Sequence, residues 1–108
     1  MKILYKEYLD YYDVPLTIVC FSDNNNQRFV GELIDDDPSL KYLFSEVTDQ
    51  QYNEYIKGIV DLRYLFLNKP LNIGTVNHFD EPFEITEVTP EVFNPNWLPG
   101  SGYFCSSK

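Results

Sequence analysis

The chain reads as a small α+β domain: an antiparallel sheet of about four to six strands, with one capped helix and a second short helix packed on one face. Three observations carry this. Runs of β-branched and aromatic residues alternate with turn clusters through the first half. A helix-start signature stands at Thr48, where Gln51 follows three residues later. Seventeen per cent of the 108 residues are aromatic, including nine Tyr and eight Phe, enough to bury a sizeable core from few side chains.

The opening stretch, through Tyr12, reads two ways. As a helix, Leu4, Tyr5, Tyr8, Leu9 and Tyr12 share a face and leave Lys6, Glu7, Asp10, Tyr11 and Asp13 outside; as a strand its alternation is imperfect. Either way the Val14-Pro15 step must be extended, because the proline ring excludes the helical region for its predecessor. That step leads into a strand over Pro15–Ser22, then a polar loop over Asp23–Gln27, then a strand from Arg28 to Ile34, together a β-hairpin. The run Asp35–Ser39 is a turn, and Leu40–Val47 a third strand. Thr48 caps a helix in which Tyr52, Tyr55, Ile56 and Ile59 follow helical spacing, with Val47 and Tyr52 placed as a staple and Gly58 as a left-handed stop. Asp61 starts a second, shorter helix with the stripe Leu62, Leu65 and Phe66, a strand through Tyr64–Leu67 being the alternative. Two more strands, 71–79 and 82–88, flank the turn Asp80–Pro82. Residues 1–108 form one domain, and the Pro- and Gly-containing run 89–108 is an irregular tail. Trp97, Leu98, Tyr103 and Phe104 are too apolar to leave it free, so it folds back on the domain, with one helical turn started at Thr89-Pro90-Glu91.

Charge narrows the function. Seventeen acids against eight bases give a net charge of −9. Phosphate binding needs clustered Lys and Arg, so direct nucleic-acid binding is disfavoured, as is an anionic membrane surface. No apolar run reaches the length of a membrane span, and the acids in the first twelve residues break the apolar stretch of an export signal. A cytoplasmic setting follows as the expectation, with Cys20 and Cys105 as free thiols, although one disulfide pairing stays open.

No catalytic, metal or cofactor site is expected. Asp35–Asp37 precede Pro38 and read as a solvated turn, since alternating side chains point apart. The run Ser22–Leu33 looks superficially like a calcium loop but lacks the required glycine, where Arg28 sits, and its acidic spacing is wrong. His78 is the only histidine; with Asp80 nearby and no nucleophile motif it reads as non-catalytic. Arg63 reads as a structural partner for a carboxylate or a backbone carbonyl.

Several short patterns recur in a family that this chain resembles. Tyr11, Tyr12, Asp13 and Pro15 lead into an apolar strand. Val47 and Thr48 open a capped helix, followed by Gly58, Val60, Asp61, Leu62 and Arg63, and Leu98-Pro99 stands near the end. Together they resemble a bacterial domain-of-unknown-function family with a Tyr-Tyr-Asp-x-Pro opening and a Gly-x-Val-Asp-Leu-Arg middle. The resemblance implies a β-rich α+β domain without established chemistry, and a structural role for the opening tyrosines.

The functional expectation is a non-enzymatic, acidic protein-binding module, of an accessory, antitoxin or immunity type, acting on a basic partner. The alternative is a nucleic-acid mimic that inhibits a DNA- or RNA-binding protein. The candidate partner-binding residues are Tyr5, Tyr8, Asp10, Tyr11 and Asp13: four tyrosines in eight residues exceed what a short segment buries, and the interleaved acids select a cationic partner. Tyr12, Leu4 and Tyr8 are expected to pack on the sheet, with the other rings at the rim.

Overall fold

The computed structural model describes residues 1–22 and 26–105. In chain order the elements are β1 (Lys2–Tyr12), β2 (Val14–Ser22), β3 (Arg28–Asp35), β4 (Leu40–Val47), α1 (Asp49–Ile56), β5 (Asn72–Val76), β6 (Phe83–Glu84) and β7 (Thr86–Glu87), with 3-10 turns at Arg63–Phe66 and Pro95–Trp97. The strands form a single antiparallel sheet in the order β6-β1-β2-β3-β4-β5-β7.

The two ends of that sheet belong to one short run of chain. Phe83 and Glu84 pair with Ile3 and Lys2 of β1, while Thr86 and Glu87 pair with Ile73 and Asn72 of β5. Between and beyond them, the Ile85 N–H donates to Met1 O and the Val88 N–H to Leu71 O. The sheet therefore curls into a nearly closed, barrel-like form. This corrects the expected α+β arrangement of a small sheet carrying two helices. The opening stretch is an eleven-residue strand, and the run 82–88 spans both sheet edges instead of adding one strand at an edge. The second helix shrinks to one four-residue 3-10 turn. Asp61 does start it, its Oδ1 accepting the Tyr64 N–H at 3.0 Å, but the backbone turns extended at Leu67 and left-handed at Asn68.

Closure divides the core in two. Inside lie Ile3, Ile18, Cys20, Phe29, Tyr42, Phe44, Phe83 and Ile85, with Phe83 edge-on to both Tyr42 and Phe44. Tyr42 meets its polar requirement by donating to Pro15 O at 2.6 Å; burial pushes its hydroxyl pKa up. Gly31 belongs to this interior, where a Cβ would stand 2.5 Å from Phe44 Cε1. The outward sides of β3 and β4, carrying Val30, Leu43 and Val47, form a second cluster with Tyr55, Leu62, Leu65 and Phe66. Both faces of β4 are therefore covered, which explains its near-continuous apolar sequence.

The capping box forms as its sequence signature requires. Thr48 Oγ1 accepts the Gln51 N–H at 3.1 Å, and Gln51 Oε1 accepts the Thr48 N–H at 3.0 Å. At the other end Gly58 takes φ +78°, the Gly58 N–H donates to Tyr55 O and the Ile59 N–H to Glu54 O, which satisfies the last carbonyls. Arg28 ties β3 to this helix through Asp49 at 2.6 Å and through the Tyr52 ring at 4.3 Å.

From Thr89 to Cys105 the chain lies on the outer cluster through Phe93, Trp97, Leu98 and Cys105. Arg63 holds it by donating to Pro99 O at 2.9 Å, and the Leu62 N–H donates to Tyr103 O at 2.8 Å. The hairpin loop expected over Asp23–Gln27 lies outside the described residues at 23–25.

Candidate functional site

β1 outruns the strand that closes the sheet. β6 meets only Lys2 and Ile3, so from Leu4 to Tyr12 the outer edge of β1 has no strand neighbour among the described residues. The strand is also irregular. Its register against β2 slips between Tyr5 and Glu7, between Tyr8 and Asp10, and again before Tyr11. Each slip resets the two-residue alternation that decides which side chains face inward.

The five candidate residues consequently separate. Tyr5 is half-buried against the inner cluster, with its ring edge-on to Phe79 at 5.1 Å, and is not part of the exposed face. Burial raises its pKa, with smaller contributions from Tyr8 and neighbouring acids. Tyr8 and Tyr11 are exposed and pair ring to ring at 5.1 Å. Asp10 is exposed and its Oδ1 accepts the Tyr11 N–H at 2.9 Å, steadying the backbone beside that pair. Asp13 forms the turn into β2 at φ 64°, the left-handed region that Asp tolerates better than most residues.

The expectation that Tyr12, Leu4 and Tyr8 anchor the segment is corrected. Tyr12 is 74 % exposed, Tyr8 53 % and Leu4 41 %; the anchors are Ile3, Tyr5 and Leu9. Proximity to Pro15 in sequence does not bury Tyr12, because the chain reverses at Asp13 and Tyr12 ends opposite Val14 at the tip of the hairpin. The three register slips, invisible in the spacing of the residues, move the apolar face.

Beside β1, under the C-terminal run, is a cavity of about 450 Å³ lined among others by Leu9, Asp10, Thr17, Glu32, Tyr55 and Cys105. Glu32 projects from β3 into it, opposite Thr17 of β2, whose hydroxyl donates to Glu32 Oε1 at 2.7 Å. Burial raises the Glu32 carboxyl from 4.5 to about 7; the Thr17 hydrogen bond pulls it back a little and the Asp10 charge adds to the rise. Glu32 gives no signal in the sequence, since "GEL" inside a strand reads as an outward, solvated acid.

His78 and Asp35–Asp37 are exposed, Cys20 is buried with its thiol pushed up to about 12, and Cys105 is half-buried; both cysteines are free. Among the described residues no group of three or more His, Cys, Asp or Glu is placed to hold a metal, and no helix is long and apolar enough to cross a membrane. No protein-family model, curated protein or solved structure matches the chain.

Proposed function

We propose that this chain is a non-enzymatic binding module that receives a basic protein segment along the outer edge of β1. One observation carries the reading: a strand edge with no strand neighbour among the described residues from Leu4 to Tyr12, beside which Tyr8 and Tyr11 stand as an exposed ring pair. Bulges and charges are also the means by which proteins blunt free edges against unwanted pairing. A merely protected edge has no use for three large rings in water, and Tyr8, Tyr11 and Tyr12 are all exposed. Rings with an apolar body and a polar tip are the common anchors of protein interfaces. An added strand supplies main-chain hydrogen bonds, and its alternate side chains reach the rings and acids. Glu7, Asp10 and Asp13 are exposed here against the single base Lys6, so the complementary segment is cationic.

The test uses a peptide of alternating Lys and Val long enough to pair with residues 4–12, followed by calorimetry and amide chemical shifts. Saturable binding is expected, centred on β1 and weakened by salt. The double substitution Tyr8→Ser/Tyr11→Ser should weaken it about tenfold or more without lowering stability by more than about 0.5 kcal/mol. Equal binding of an alternating Glu and Val peptide, or full binding by the double variant, refutes the proposal.

A further inference from the structure

The cavity beside β1 has a chemical character that the edge-strand reading does not use. Its polar groups point to one kind of guest. Glu32 Oε1 is engaged by Thr17, while Glu32 Oε2 takes no hydrogen bond among the described residues. Tyr55 is only 6 % exposed, lines the cavity, and its hydroxyl has no hydrogen-bond partner among the described residues. That leaves the hydroxyl able to donate to or accept from a guest in the cavity. Asp10 adds a second carboxylate. Among the described residues no Lys, Arg or His lines the space. Leu9, Leu16, Leu62 and Pro99 make the walls apolar, and the rings of Tyr103 and Phe104 line it while remaining largely exposed, which places them at its mouth.

We infer that this cavity binds a primary ammonium group on an aliphatic stem, with the ammonium between Glu32, Asp10 and the Tyr55 hydroxyl and the stem against the leucines. An ammonium brings three donors and no acceptor, which suits an acceptor-rich site with no cation among the described residues that line it. The mouth rings offer their faces to the same charge. A half-buried carboxylate with no counter-ion among the described residues also makes the fold less stable than a neutral residue would, a pattern found where binding is served before stability.

Two sources could supply the group: a free alkylamine, or a lysine side chain of the segment docked on β1. The second source rests on the proposed function and the first does not. Asp10, which sits between the ring pair and the cavity, makes the two sites contiguous.

Protonation of Glu32 would remove the principal acceptor, so binding should tighten as pH rises from 6 to 8. The titratable groups that line the cavity with Glu32 are Asp10 from β1, Tyr55 from α1, and Tyr103 and Cys105 from the C-terminal run. Of these, burial raises Tyr55 above that range.

The probe is n-butylamine, titrated into the intact protein and followed by amide shifts, with n-butanol as the uncharged control. Saturable millimolar binding is expected, with shifts at Leu16, Glu32 and Tyr55, about tenfold tighter than butanol. Glu32→Gln should weaken the amine about tenfold or more, and Tyr55→Phe should weaken it severalfold while leaving the ring in place. Butanol binding as tightly as butylamine, or either variant binding the amine unchanged, overturns the inference. Competition then separates the sources. Displacement of butylamine by the Lys-Val peptide assigns the pocket to a partner lysine, and simultaneous binding assigns it to a free amine. If butylamine binds while the peptide does not, the edge reading fails alone; if the peptide binds while butylamine does not, the pocket fails alone.

Discussion

Replacing Glu32 by Gln should make the protein more stable at pH 8 and leave it unchanged at pH 4. The folded protein raises this carboxyl from 4.5 to about 7 because burial strips water from the charged form. At about 1.4 kcal/mol per tenfold change in proton affinity, that gap corresponds to up to about 3 kcal/mol. The folded state holds the proton more tightly than the unfolded chain, so unfolding releases it between pH 4.5 and 7. Stability attributable to Glu32 is therefore fully present below pH 4.5, declines as pH rises through that window, and is flat above about 7. Glutamine keeps the acceptor for the Thr17 hydroxyl and removes the titration. Urea midpoints of both proteins between pH 4 and 8.5 measure the difference, in which the slopes common to all other carboxylates cancel. The variant should gain steadily across pH 4.5 to 7 and plateau beyond it. A stability difference that does not vary with pH would mean that Glu32 is solvated, and it would remove the electrostatic basis of the ammonium pocket as well.

Gly31→Ala should destabilise by about 1–3 kcal/mol in urea titration, because the new Cβ would stand 2.5 Å from Phe44 Cε1 inside the closed sheet. Adding Phe44→Leu should recover part of that loss, and an additive double variant would mean that the two do not meet. Tyr12→Ala should change stability by no more than about 0.5 kcal/mol, whereas Ile3→Ala, fully buried where β6 closes onto β1, should cost about 2–5 kcal/mol. A large effect of Tyr12→Ala would place the opposite face of β1 inward.

Local chemistry was enough for the middle of the chain. The strand over Leu40–Val47, the capping box of Thr48 and Gln51, and the left-handed stop at Gly58 each depend on sterics and hydrogen bonds within a few residues, so they are legible from the residues themselves. The acidic, tyrosine-rich character of the opening is equally a property of sequence. The tertiary structure alone decided what is done with it. Closure of the sheet pairs Lys2 with Glu84, 82 positions apart, and no local preference encodes a contact of that kind. The inward face of β1 was settled by register slips against β2, since an extra residue in one strand shifts all those after it relative to the partner. Glu32 is an ordinary strand acid until β2, α1 and the C-terminal run assemble around it. Its raised proton affinity arises from desolvation by elements distant in sequence, and its place in one cavity with Tyr55 from the packing of those elements, both of which exist only once the chain has folded.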